Sequence, residues 1–240
     1  MLYLIGLGLN EKGYSREAYD SISKADRIYF DSYTVDFPYK IKDLEKQFYK
    51  KKFLPADREL IESFGILDEA KNKKIVLLVY GSPLTATTHI SLIQEAKKRK
   101  IKYRVIHGAS VLDAVLETGL QVYKFGKIAS MPSWIPEKNF KPESFAEIIK
   151  ENQSIEAHTL LLIDIGLGFQ EALNQLEAVS LNQNVALKKI IVCQSLGTKN
   201  RKIFYGEIEE LKDKKIKKPF CIIIPGKLHF VEKDFLESLR

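Results

Sequence analysis

The residues best suited to chemistry in this 240-residue chain sit where short apolar runs end. The first run, 2–5, passes into Gly6-Leu7-Gly8-Leu9. Ile75–Val79 passes into Tyr80-Gly81-Ser82-Pro83-Leu84-Thr85-Ala86-Thr87-Thr88-His89, and Tyr103–Ile106 into His107-Gly108-Ala109-Ser110. Later runs lead to Asp164-Ile165-Gly166, to Ser195-Leu196-Gly197-Thr198 and to Pro225-Gly226-Lys227-Leu228-His229. Small residues dominate these exits. Glycine lets backbone approach a ligand closely, so backbone groups are expected to do most of the binding. In an open α/β sheet that is also where ligands lie.

Standard machinery is missing. Gly6 and Gly8 begin a dinucleotide fingerprint, but its third glycine position holds Glu11. A carboxylate there repels phosphates, so a phosphate-free ligand suits the loop better. His89, His107, His158 and His229 lack the i, i+4 partner of a helical zinc pair, and no metal site is expected. Tyr80-Gly81-Ser82-Pro83 lacks the second glycine of a nucleophile elbow. Cys193 and Cys221 lie inside apolar runs and read as small buried hydrophobes without a disulfide. What remains is a reaction driven by positioning, with no assigned catalytic side chain.

Alternating strands and helices must hold these exits in place. Strands are expected at 2–5, 27–30, Ile75–Val79 and Tyr103–Ile106. Helices are expected at 15–25 with Ser15 as cap, and at 40–49, 57–70 and 87–98. This alternation implies a parallel sheet covered on both faces. A second unit begins near residue 110, where Ser110 caps a helix over 111–117 that stops at Gly119. It continues with strands at 127–130, Thr159–Ile163, 189–194 and Phe220–Ile224. Its helices fall at 145–152, 170–180 and 233–239, with a proline-rich loop at 131–142. The expected organisation is an N-terminal α/β domain over 1–109 and a C-terminal α/β domain over 110–240.

The net charge is +7, with lysines clustered at Lys50-Lys51-Lys52, Lys97-Lys98-Arg99-Lys100 and along Lys212–Lys218. These read as solvated helix ends and loops, or as attraction for an acidic partner or for RNA-bearing particles. No zinc finger or RNA-binding aromatic signature accompanies them, so direct nucleic-acid recognition is not expected. No apolar run approaches the roughly 20 residues that span a bilayer. Strand residues begin at Leu2 with no basic stretch ahead of them, which reads as no signal peptide and a cytoplasmic location.

Taken together, the exits resemble the tetrapyrrole-methylase family of S-adenosylmethionine-dependent methyltransferases. Within it they resemble the archaeal form of the branch that makes diphthine on translation elongation factor 2. The resemblance runs to about residue 229. It rests on Leu4-Ile5-Gly6-Leu7-Gly8-Leu9, Gly81-x-Pro83-Leu84-x-Ala86-Thr87-Thr88-His89 and Thr118-Gly119-Leu120-x-x-Tyr123-Lys124-Phe125-Gly126-Lys127. It continues in His158-Thr159-Leu160-Leu161 with Asp164-Ile165, and in Pro225–His229. The resemblance implies two α/β domains with the cofactor in a cleft between them, and a homodimer. It implies methyl transfer from S-adenosylmethionine to the amino group of a modified histidine of elongation factor 2, repeated to the trimethylammonium. S-adenosylhomocysteine is the other product. Carried over by motif, the cofactor contacts are Leu9, Ser82, Thr85, Ser110, Val111, Ile163, Leu196 and Phe220. The family usually has Gly-Asp-Pro where this chain has Gly81-Ser82-Pro83, which removes a charge from the cofactor wall. Lys227 and His229 are candidates to face the acceptor, or else a packed turn. Lys124 and Lys127 are candidates to touch the acidic partner, or else a solvated surface. Two alternatives remain at this point: the same fold acting on a tetrapyrrole or a ribosomal-RNA sugar, and a binding module without activity.

Overall fold

A computed structural model describes residues 1–49 and 51–239; Lys50 of the first lysine cluster lies outside the described residues. The chain is an α/β protein with two five-stranded sheets, each in its own compact unit, Met1–Ala114 and Val115–Arg240.

The first unit runs β1 (Leu2–Gly6), α1 (Arg16–Ser23), β2 (Arg27–Asp31), α2 (Ile41–Glu45), β3 (Phe53–Ala56), α3 (Arg58–Glu62) and α4 (Gly65–Ala70). It continues with β4 (Ile75–Val79), α5 (Ile90–Lys98), β5 (Tyr103–Ile106) and α6 (Val111–Ala114). The strand order is β3-β2-β4-β1-β5, parallel throughout. Side chains alternate across a strand. Ile75, Leu77 and Val79 of β4 therefore pack against one layer with Ile61, Leu67 and Leu92. Val76 and Leu78 pack against the other with Ala18, Ile22 and Leu44. A strand buried on both faces reads as an unbroken apolar run, which is why β4 is so plain in the sequence.

Three departures have local causes. The helix expected over 57–70 is broken, because Phe64 adopts a left-handed conformation with φ 61° between α3 and α4. The helix expected from Thr87 begins only at Ile90, because the Thr87 hydroxyl turns back to the Pro83 carbonyl at 2.8 Å. Strand β3 was not expected. Its Pro55 lacks an N–H, which an edge strand paired only with β2 tolerates. Ser15 caps α1 as expected, accepting from the Ala18 amide at 3.1 Å. Lys51 is not a solvated cluster member: its ammonium closes the Ser23 and Ala25 carbonyls after α1.

The second unit runs β6 (Ala129–Met131), α7 (Ser144–Ser154), β7 (Thr159–Ile163), α8 (Phe169–Gln183) and β8 (Ile190–Gln194). It ends with β9 (Lys202–Gly206), α9 (Ile208–Leu211), β10 (Phe220–Ile224) and α10 (Phe230–Glu237). The order is β6-β7-β10-β8-β9. Only β6 and β7 pair in parallel; β10 is antiparallel to β7 and β8, and β9 to β8. Helices α7 and α8 cover one face through Phe145, Ile149, Leu173 and Leu176. Cys193 and Cys221 are opposite one another in the register of β8 and β10, both buried and free. The neighbouring Cys221 thiol and burial push Cys193 well above the usual thiol range, which makes it inert as a nucleophile. Strand β6 starts two residues later than expected. The Asn152 side chain binds both the N–H and the C=O of Lys127, at 2.9 and 2.8 Å, and takes it out of the ladder.

Candidate active site

In the first unit the exits of β1, β4 and β5 close on one another through glycine. Gly8 and Gly81 exchange backbone hydrogen bonds of 3.2 and 2.9 Å. A Cβ on Gly6 would stand 2.6 Å from the Gly81 oxygen and 2.7 Å from the Gly108 nitrogen. A Cβ on Gly108 would stand 2.6 Å from the Gly8 nitrogen. No side chain fits at either position. Gly81 is required for a different reason: the space beside it is open, with nothing nearer than 3.8 Å, but its φ is 77°. Leu9 is buried next to this junction, and Ser82 and Thr85 are half-buried in the loop that leaves it. That loop contains Ala86 at φ 54°, a strained backbone for a residue with a Cβ.

Two groups hold the loop from behind. The Pro83 carbonyl accepts from the Thr87 hydroxyl and, at 3.0 Å, from Nδ1 of the buried His89. His89 Nε2 lies 3.4 Å from Oδ2 of Asp31 and has no hydrogen-bond partner among the described residues. Asp31 is itself fully buried at the end of β2 and accepts from the Tyr33 and Thr34 amides and the Thr34 hydroxyl. His89 thus braces this loop through Nδ1 and packs against the β2 exit. Glutamine lacks the ring that fills this buried position. His89→Gln is expected to lower stability by about 1–3 kcal/mol, read by thermal melts.

Ser110 opens α6. Its hydroxyl accepts from the Leu112 amide at 3.1 Å and meets Asp113 Oδ2 at 3.2 Å; its own amide donates to the same oxygen at 2.6 Å. The hydroxyl is therefore committed to the cap, and Val111 beside it is half-buried.

In the second unit, strand direction decides which residues share an edge. Because β10 runs against β7 and β8, the start of β10 lies beside the ends of both. Cys221 pairs with Leu162 and Phe220 with Gln194. Ile163, Leu196 and Phe220 thus gather at one edge of this sheet. Phe220 is propped edge-on against Phe169 at 5.6 Å. Leu196 is set by Ser195, which has φ 48° and is fixed by its amide on the Pro219 carbonyl at 2.9 Å. The Asp164 carboxylate accepts from the Ser133 and Ile165 amides and shapes the turn beside Ile163.

The turn Pro225–His229 leaves the opposite end of β10 and does not join that edge. A strand of five residues rises roughly 3.4 Å per residue, so the separation is about 14–17 Å. Lys227 and His229 stand there in a different constellation, the packed turn that is the other sequence reading of these residues. Its centre is the buried Glu232. Oε1 accepts from the Gln121 amide at 2.9 Å and meets His158 Nε2 at 3.2 Å. Oε2 accepts from Lys124 Nζ at 2.6 Å and from the His229 amide at 2.7 Å. His158 Nδ1 accepts from the Gly226 amide at 2.9 Å, so its proton is on Nε2 and points at Glu232. Lys124 also donates to the Lys227 carbonyl and is not a free surface cation. Lys127 and Lys227 are exposed and paired with Glu151 and Glu156, and the His229 ring is exposed. His107 is exposed at the β5 exit.

Asp31 and Glu232 were not singled out from the sequence. Asp31 had a signal, a carboxylate directly after the apolar run 27–30. Glu232 had only the three-residue spacing from His229 that a helix start produces.

The sequence profile of tetrapyrrole (corrin/porphyrin) methylases matches residues 1–212. A diphthine synthase of Methanococcus maripaludis is 36% identical over 253 residues, spanning all of this chain and 98% of the relative. A diphthine methyl ester synthase of Schizosaccharomyces pombe is 34% identical, spanning 99% of this chain and 94% of the relative. A crystal structure of diphthine synthase superimposes with a TM-score of 0.89 at 31% identity, covering 99% of this chain and 95% of that one.

Proposed function

The chain belongs to the tetrapyrrole (corrin/porphyrin) methylase family, and from that premise we propose that it methylates the modified histidine of translation elongation factor 2 in diphthamide formation. The observation that carries this reading is full-length likeness, in sequence and in fold, to diphthine synthases. The tetrapyrrole alternative has the family-level match behind it, which stops at residue 212. Methylation of the amine is the reading we favour, repeated to the trimethylammonium, by a homodimer located in the cytoplasm. No described helix is long and apolar enough to cross a membrane.

The proposed contacts to S-adenosylmethionine are Leu9, Ser82, Thr85, Ser110 and Val111 of the first unit and Ile163, Leu196 and Phe220 of the second. The fit rests on the glycine junction. It offers bare backbone at Gly81, and Glu11, three residues after Gly8, disfavours phosphates. The cofactor supplies a methyl group already activated on a sulfonium. The chain then has to hold an uncharged amine in line with the S–CH3 bond and keep water out. Alignment of that kind is worth roughly 7–11 kcal/mol of barrier. The proton lost between rounds can pass to water, so no obligate catalytic base is assigned. Ser82, in place of a carboxylate, leaves the hydrogen bonding to backbone and hydroxyl.

Titration with S-adenosylmethionine tests the site. Binding heat is expected, together with stabilisation of about 2.7 kcal/mol at a hundredfold excess over Kd. NAD and ATP are expected to give neither. Silence with S-adenosylmethionine would leave the inactive binding module as the better reading.

A further inference from the structure

Beside the glycine junction of the first unit stands a group of aromatic side chains outside the proposed cofactor contacts. Phe37 and Tyr39 come from the segment after β2, and Tyr80 immediately precedes Gly81. Their rings meet at large angles: Phe37 to Tyr39 at 5.6 Å and 78°, Phe37 to Tyr80 at 5.8 Å and 57°, Tyr39 to Tyr80 at 6.3 Å and 66°. Phe30 extends the group through Phe37 at 6.0 Å. Rings at such angles present faces and edges in several directions, and each face carries negative charge density.

Two polar features of this corner are unsatisfied. The Tyr39 hydroxyl is buried and has no hydrogen-bond partner. Burial, then Tyr80 and the Glu11 carboxylate, push its ionisation well above the usual phenol range, so it is a neutral donor. The half-buried Glu11 carboxylate makes no hydrogen bond or ion pair with any described residue; only its backbone carbonyl is used, by Gln47 Nε2 at 2.9 Å. A lone carboxylate within electrostatic reach of Tyr39 repels anions and attracts cations. A compact cation with methyl groups suits it best, because it has no N–H to satisfy and little hydration to lose.

We propose that Glu11, Phe37, Tyr39 and Tyr80 form a subsite for a methylated onium group. The proposal rests on the methyltransferase reading for its two sources of that chemistry. One is the sulfonium of the cofactor; the other is the methylated ammonium that accumulates on the acceptor. In either role the corner favours the charged species over its neutral counterpart.

Tetramethylammonium is the probe, with tert-butanol as its neutral counterpart. Added to the whole chain, tetramethylammonium is expected to shift the NMR resonances of Phe37, Tyr39 and Tyr80, and tert-butanol is not. Glu11→Gln is expected to weaken tetramethylammonium about fivefold to tenfold. Circular dichroism establishes that the variant is folded. Two further arms identify the source. If Glu11→Gln raises Kd for S-adenosylmethionine but not for S-adenosylhomocysteine, the sulfonium is the ligand. If it leaves both unchanged and raises KM for the elongation factor, the ammonium is. Equal shifts from both probes, no shifts, or equal tetramethylammonium affinity in the variant would overturn the proposal. The probe titration needs neither cofactor nor acceptor, so it fails or succeeds independently of the methyltransferase reading.

Discussion

Glu232→Gln is expected to destabilise the second unit by about 3–5 kcal/mol, the range for breaking a buried, hydrogen-bonded charge pair by removing one partner. For a chain of this size that lowers Tm by on the order of 10 °C. The reason is a count of donors. Two carboxylate oxygens receive the Gln121 and His229 amides, Lys124 Nζ and His158 Nε2. A glutamine offers one oxygen, and its NH2 would face donors. Lys124 would also keep its charge with no counter-ion.

The same network sets an acid limit. Burial alone would raise the Glu232 carboxyl, but the donors around it outweigh burial and hold it at about 2, against an ordinary 4.5. A depressed carboxylate stabilises the fold above its unfolded value and loses that stabilisation as pH falls toward the folded one. A shift of this size corresponds to roughly 3 kcal/mol, present above pH 4.5 and lost between there and about pH 2. His158 is lowered from 6.5, chiefly by burial, with Glu232 opposing. A lowered histidine also costs stability on acidification, beginning below pH 6.5, because the unfolded chain takes up the proton first. Melting temperature is therefore expected to fall in two stages below neutrality. In Glu232→Gln the lower stage should be missing. A variant that melts within a degree or two of the wild type, with both stages intact, would mean that Glu232 does not hold the Lys124 and Pro225–His229 segments together.

Gly6→Ala and Gly108→Ala are expected to damage binding more than any change of a polar side chain at the same exits. Each new Cβ would lie 2.6–2.7 Å from backbone atoms of a neighbouring strand exit, and backbone cannot rotate away. Overpacking of this kind costs about 1–3 kcal/mol or more. The strain falls on the junction of β1, β4 and β5, so S-adenosylmethionine affinity should drop by about tenfold or more, from a misplacement on the ångström scale. Both substitutions wedge the same junction, so the double variant should cost less than the sum. Gly81→Ala is the comparison for stability alone, because its open side is the one proposed to face the cofactor. Its surroundings are open and only φ opposes it, at about 1–2 kcal/mol. If all three substitutions cost the same and left affinity intact, close packing at the junction would not be what shapes the site.

Much of the first unit can be read from its sequence because its physics is local. Two-sided burial makes β4 an unbroken apolar run, and glycines mark where parallel strands end together. The second unit is less legible. The lengths and composition of its runs say nothing about direction, and direction puts Phe220 with Ile163 and Leu196, and Lys227 and His229 at the other end of the sheet. Strand β9 escaped notice because Lys202 heads a short run with one protected neighbour. The break at Phe64 depends on a backbone conformation that phenylalanine seldom adopts. The motifs that most strongly carried the resemblance, Tyr123–Lys127 and Pro225–His229, turn out to be joined by Glu232, which none of them contains.

The most direct measurement is incubation with methyl-labelled S-adenosylmethionine and elongation factor 2 carrying the unmethylated modified histidine, followed by mass spectrometry of the factor. The expected result is successive methyl increments on the amino group of that one residue, ending at the trimethylammonium. An unmodified factor, with label appearing instead on ribosomal RNA or on a corrinoid offered in parallel, would contradict the proposed function while leaving the fold and family in place.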